Sequence, residues 1–202
     1  MLPSSSTKNE TGLKWLRMLE ITVGIIVLVL GVVLWWPHTD WGEAFPASLA
    51  LALIILETVY IIRTYAKGVA TRRHPSLMLS VLAILIAFWA LGTTFFFRRP
   101  ELTFFEYAIL VLMLATGLLF AGIASATRGT ASGKIAGVLV ILISLAVFIS
   151  PKIEGILTIL AMPITLLFPD FTYQVFPQAL VTLSLMITAL ETLISGITGR
   201  SI

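Results

Sequence analysis

AFPASLALALIILETVYIIRTY, residues 44–65, is a nearly unbroken apolar run with one carboxyl near its middle, at Leu56-Glu57-Thr58. Its length matches the roughly 20 residues that cross a hydrocarbon core about 30 Å thick. The same phrase returns as Leu190-Glu191-Thr192 in the last apolar run of the chain. Each phrase follows an aromatic loop punctuated by proline. These loops are Trp35-Trp36-Pro37 to Phe45-Pro46 and Phe168-Pro169 to Phe176-Pro177. The pattern predicts a membrane protein, built from repeats, with rare acidic groups at matching places in two of them.

Composition supports this. Of 202 residues, 58% are hydrophobic and 11% charged, and the mean hydropathy is +1.04. A water-soluble domain carries about 25% charged residues, so most of this surface must face lipid. With no cysteine, disulfides, thiolate catalysis and cysteine metal sites are excluded. Residues 1–12 are polar and carry no apolar h-region, which predicts a short flexible tail and no cleavable signal.

Six spans are expected. They run from about Leu13 to Trp36, Ala44 to Tyr65, Ser76 to Phe97, Glu101 to Ala126, Lys134 to Ser150, and Pro177 to Gly199. Trp15 and Arg17 at one end of the first span, and Trp35 and Trp36 at the other, suit the two membrane interfaces. Gly24 and Gly31 share one helix face, as do Gly137 and Ser144, and small residues on one face let helices approach closely. The aromatics Tyr60, Tyr107 and Phe95-Phe96-Phe97 read as lipid-facing or interfacial. Between the fifth and last spans lies Ile153 to Phe168, with Pro163 inside it. It is short for a span, and proline removes a helix hydrogen bond. It reads as an inserted hydrophobic segment that returns to its side of entry, with a seventh crossing as the alternative.

Loop charges set the orientation. Lys8, Lys14 and Arg17 flank the first span; Arg63, Lys67, Arg72 and Arg73 read as the basic loop after the second; Arg128 and Lys134 follow the fourth. The loop from Pro37 to Glu43 has Asp40 and Glu43 and no basic residue. The positive-inside rule then puts the N-terminus in the cytoplasm, although Arg98 and Arg99 fall on the outer side.

The fold class is therefore an all-α polytopic transmembrane bundle of three two-helix repeats, residues 13–74, 75–131 and 132–202, with an insertion at 152–176. Each first helix is rich in small residues and ends at a proline (Pro37, Pro100, Pro151); each second helix runs back to a Gly- or Ser-rich basic turn. Two stretches carry a family likeness: Phe96-Phe97-Arg98-Arg99-Pro100-Glu101-Leu102, and Ala189-Leu190-Glu191-Thr192-Leu193-Ile194-Ser195-Gly196. Here the chain resembles the HdeD family of bacterial and archaeal inner-membrane proteins, which are built from a short two-helix repeat. The resemblance runs from Leu13 to Gly199 and is broken by Lys152 to Phe176. It implies a multi-pass protein of the inner (plasma) membrane with a role in acid or membrane-stress tolerance, and it brings no catalytic residues.

Several side chains are candidates for function. Glu57 has Tyr60 and Thr64 at +3 and +7, while Ser184, Thr188, Glu191 and Ser195 form one polar stripe along the final helix. An ionised carboxyl at such depth is unwelcome, whereas a protonated one donates one hydrogen bond and accepts others. Either Glu57 and Glu191 face a cavity and bind a proton, cation or small polar solute, as a transporter or channel would use them, or they are neutral packing groups. Arg98, Arg99 and Glu101 form a candidate outer gate or, more plainly, an interfacial anchor. Gly24, Gly31, Gly137 and Ser144 are helix-packing positions, which leaves a structural subunit or scaffold as a further reading. The expected partners are the lipid bilayer and, through the small-residue faces, a second copy or another membrane protein; nucleic acid is not among them. No zincin motif, Gly-rich phosphate loop or nucleophile elbow occurs. His38 and His74 both fall in loops. No enzyme activity, metal or cofactor is expected.

Overall fold

The structure, a computed structural model, describes residues 5–35, 44–66, 75–96, 104–127, 130–149 and 176–198. Those residues form six helices: α1 (Ser5–Trp35), α2 (Ala44–Ala66), α3 (Pro75–Phe96), α4 (Phe104–Ala126), α5 (Ala131–Ile149) and α6 (Phe176–Thr198). All six are long and apolar enough to cross a membrane. Among the described residues there is no strand. The expected all-α polytopic bundle is thus what the chain forms. The Arg98, Arg99 and Glu101 cluster and the insertion, apart from its last residue, Phe176, lie outside the described residues.

Helix starts follow local chemistry. Pro46 falls in the first turn of α2, Pro75 opens α3, and Pro177 is second in α6. First-turn amides have no intrahelical acceptor, so a missing N–H costs nothing there. At α5 the Thr130 hydroxyl accepts from the Gly133 amide at 3.1 Å, an N-cap that ends the turn after α4.

The helices divide into inner and outer sets. Of the span residues, 61% are buried in α2, 56% in α4 and 50% in α6, against 28% in each of α1, α3 and α5. Each outer helix presents one narrow stripe to the bundle. On α3 it is Ser76, Ser80, Ala83, Ala87, Ala90 and Thr94; on α5 it is Gly133, Gly137, Val140, Ser144 and Val147. Alternating steps of four and three residues give a seam of period 3.5, and small side chains on it bring neighbouring backbones close. The remaining circumference is apolar and exposed, as at Ile25, Val29, Leu85, Phe88, Val138 and Leu142, and suits contact with acyl chains. The inner helices fill the core with leucine: Leu49, Leu53, Leu56, Leu110, Leu114, Leu118 and Leu185 are fully buried.

Glycines lie where two helices come closest. A Cβ on Gly24 would stand 2.9 Å from Leu193 Cβ and 3.1 Å from the Ala189 carbonyl oxygen, and Gly31 meets Met186. Both bring α1 against α6. Gly137 of α5 lies against the Ala126 and Gly122 backbone of α4, and Ser144 is buried further along the same face.

Candidate functional site

Neighbouring helices run antiparallel, so one end of the bundle collects the starts of α1, α3 and α5 and the ends of α2, α4 and α6. The interior polar side chains concentrate at that end. Arg63, in the last turn of α2, is its centre. Its Nη1 donates to Glu20 Oε1 of α1 and, at 2.6 Å, to Ser195 Oγ of α6. The side chains of Arg63 and Glu20 are 3% and 4% exposed. Charges taken this far from water must be paired, or they cost several kcal/mol each.

The second half of the site belongs to Glu191, also buried. The Ser125 hydroxyl of α4 lies 2.9 Å from Glu191 Oε2 and 3.1 Å from the Gly133 carbonyl oxygen of α5. One hydroxyl proton serves only one of these acceptors at a time. Gly133 makes the space: a Cβ there would stand 3.2 Å from Glu191 Oε1 and 3.1 Å from the Ser125 carbonyl. Gly196 does the same on the other side, where a Cβ would meet Ile21 at 2.9 Å and Glu20 Cβ at 3.1 Å.

Glu20, Tyr60, Arg63, Thr130, Glu191, Thr192 and Ser195 together line a cavity of about 20 Å³ open to the centre of a water molecule. That is room for one or two water-sized groups, since one water needs roughly 10–15 Å³ by the same measure. Every polar atom these side chains offer is oxygen except the guanidinium of Arg63.

The sequence candidates separate on this geometry. Glu191 and Ser195 belong to the cavity. Tyr60 belongs to it too, and its hydroxyl donates to Ser76 of α3 at 3.0 Å; the expectation of a lipid-facing ring is corrected, because this bond turns the ring inward. Glu57 is completely buried in the bundle, about 9 Å deeper along α2 than Arg63 at 1.5 Å per residue. It is not one of the cavity-lining residues. Thr64 and Thr188 return their hydroxyls to their own helix, at Tyr60 O (2.9 Å) and Ser184 O (3.0 Å). Such back-bonding satisfies a hydroxyl in an apolar setting without any neighbour. Ser184 is buried, and its hydroxyl has no hydrogen-bond partner among the described residues.

Arg63 is the second correction. The sequence pattern places it in the basic loop, whereas it lies inside α2 and points inward, where Glu20 and Ser195 hold it. Glu20 and Ser125 were not among the sequence candidates. Glu20 carried a usable signal, being a carboxyl inside the first apolar run and near the same membrane face as Arg63. Among the described residues no group of three His, Cys, Asp or Glu is placed to hold a metal.

Six apolar helices around this interior define an integral, multi-pass membrane protein. No family model matches the chain, and no curated protein or solved structure does either.

Proposed function

We propose that this is a membrane protein of the HdeD type that serves acid or membrane-stress tolerance by exchanging protons with carboxyls inside its bundle. The observation that carries this reading is the cavity shared by Glu191, Glu20 and Arg63. An intramembrane carboxyl facing a cavity is the usual form of a proton or ion site. With the basic flanks of the spans on the cytoplasmic side, the cavity lies toward the cytoplasm of a plasma-membrane protein. Glu57, deeper in α2, is the next carboxyl along the bundle. The size of the cavity argues against an organic solute, since pockets for drug-sized molecules are about 300–1,000 Å³.

The test is reconstitution into liposomes loaded with a pH-sensitive dye. The parent protein is expected to pass protons down an imposed gradient, and Glu191→Gln and Glu57→Gln to slow that flux. Absence of flux in the parent ends the reading.

One observation favours a structural subunit instead: Glu57 is wholly enclosed by the bundle. In that case both carboxyls fix helix register, and both glutamine variants behave as the parent in the dye experiment.

A further inference from the structure

We infer that the cavity at the α1–α2–α6 end binds one or two water molecules that exchange with the aqueous phase and connect Glu191 to it. The inference rests on the proton-exchange reading of this cavity and supplies the route by which a proton reaches the carboxyl.

Size comes first. About 20 Å³ is open to the centre of a water molecule, and one water needs roughly 10–15 Å³ by that measure. Apolar cavities stay dry, whereas polar ones of this size hold water. Every residue that lines this cavity carries a polar group.

Bonding capacity comes next. A buried water makes about three hydrogen bonds, so the wall must offer donors and acceptors beyond those its own bonds use. A hydroxyl has one hydrogen to give and two lone pairs. Thr130 Oγ1 accepts from the Gly133 amide, and Ser195 Oγ accepts from Arg63. Neither gives its own hydrogen to another described residue. Thr192 does the opposite: it gives its hydrogen to the Thr188 carbonyl oxygen at 3.0 Å and keeps a lone pair. Two donors and an acceptor therefore remain in the wall. Water uses all of them, because it both donates and accepts.

Access completes the argument. Glu20, Tyr60, Arg63 and Glu191 are buried, whereas Thr130, Thr192 and Ser195 are half-buried. Thr130 caps the start of α5, and Ser195 lies in the last turn of α6. The accessible part of the wall is thus at the helix ends of the bundle. A proton that arrives there as hydronium passes to the Glu191 carboxylate, leaving neutral water and a neutral carboxyl. Glu57, fully buried and outside the cavity wall, has no such link.

The test uses the full chain in lipid nanodiscs, with threonine methyl groups labelled for NMR. Cross-peaks between water and the methyls of Thr130 and Thr192 are expected. Thr64 of α2 and Thr188 of α6 are buried outside the cavity wall, and no water cross-peak is expected there. Glu191→Gln keeps the wall polar and is expected to keep both cross-peaks. Thr192→Leu puts a larger apolar side chain into the wall. It is expected to abolish the Thr130 cross-peak and to slow proton flux in dye-loaded liposomes. In the parent, silence at both Thr130 and Thr192, or equal cross-peaks at all four methyls, overturns the inference, however the variants fold. Unchanged flux in a Thr192→Leu protein that has lost the Thr130 cross-peak overturns it too. Flux in a parent with silent cavity methyls leaves the proposed function standing without this inference. Cross-peaks at Thr130 and Thr192 in a parent without flux keep the water site and end the proposed function.

Discussion

Arg63 of α2 donates to Ser195 of α6 across 132 positions of sequence, and the same guanidinium nitrogen holds Glu20 of α1. One side chain thereby ties three helices at one end of the bundle. Its reach matters because α1 packs mainly on α6 and touches α2 over a much shorter stretch. The ion pair closes the α1–α2 seam that apolar packing leaves thin.

Arg63→Ala is therefore expected to destabilise the folded bundle by about 3–5 kcal/mol, because it leaves Glu20 buried without its cation. The double variant Arg63→Gln/Glu20→Gln is expected to recover a large part of that loss, since neither partner is then charged. Unfolding in mixed detergent micelles compares these variants, and the single variants Arg63→Gln and Glu20→Gln complete the double-mutant cycle that gives the coupling. A double variant no more stable than Arg63→Ala would refute the idea that the pair's charge is what matters.

The α1–α6 seam makes a different demand. At Gly24 the obstacle is the Ala189 carbonyl oxygen and the Leu193 backbone, and neither can rotate away. Gly24→Ala is expected to cost about 1–3 kcal/mol through overpacking. Gly92 of α3 is the contrast, since a Cβ there meets nothing within 4 Å. Gly92→Ala is expected to stabilise the protein by about 0.5–1 kcal/mol, the helix preference of alanine over glycine. Thermal unfolding of both variants in one detergent tests the pair, and equal effects at the two positions would contradict the seam.

Much of this architecture was legible in the sequence. Apolar runs of spanning length located the six described helices, and small residues spaced seven apart, as at Gly24 and Gly31, marked faces on which helices can approach closely. The site was only half legible. Glu57 and Glu191 stood out because a carboxyl is rare in an apolar run. Arg63 did not, because an arginine near a span end is ordinarily an interfacial anchor, and only a partner on another helix draws it inward. That partner, Glu20, lies 43 positions away. Ser125 was hidden for the same reason, since a serine in a membrane helix usually bonds to its own backbone. Local spacing reports which residues share a face, but not which faces meet.

The back-bonded threonines supply a functional prediction. Thr188 sits in the polar stripe of α6, yet its hydroxyl belongs to the Ser184 carbonyl. Thr188→Val keeps the shape and removes only that local bond, so it is expected to leave proton flux unchanged and alter stability by about 0.5 kcal/mol or less. Flux lost in Thr188→Val, measured in dye-loaded liposomes, would mean that protons run along the stripe instead of through the cavity.

Two buried serines separate a working hydroxyl from an idle one. Ser125 engages Glu191, whereas the Ser144 hydroxyl of α5 is buried with no hydrogen-bond partner among the described residues. Removing a hydroxyl that makes no bond also removes a desolvation penalty, so Ser144→Ala is expected to be neutral or to stabilise by up to about 1 kcal/mol. Ser125→Ala takes a donor from a buried carboxyl and is expected to cost about 1.5–3 kcal/mol, the range for hydrogen bonds to charged groups. Placing Glu191→Gln in the Ser125→Ala background should then cost less than in the parent, because the interaction is already gone. Additive losses in that cycle would show that the Ser125–Glu191 contact contributes nothing to stability.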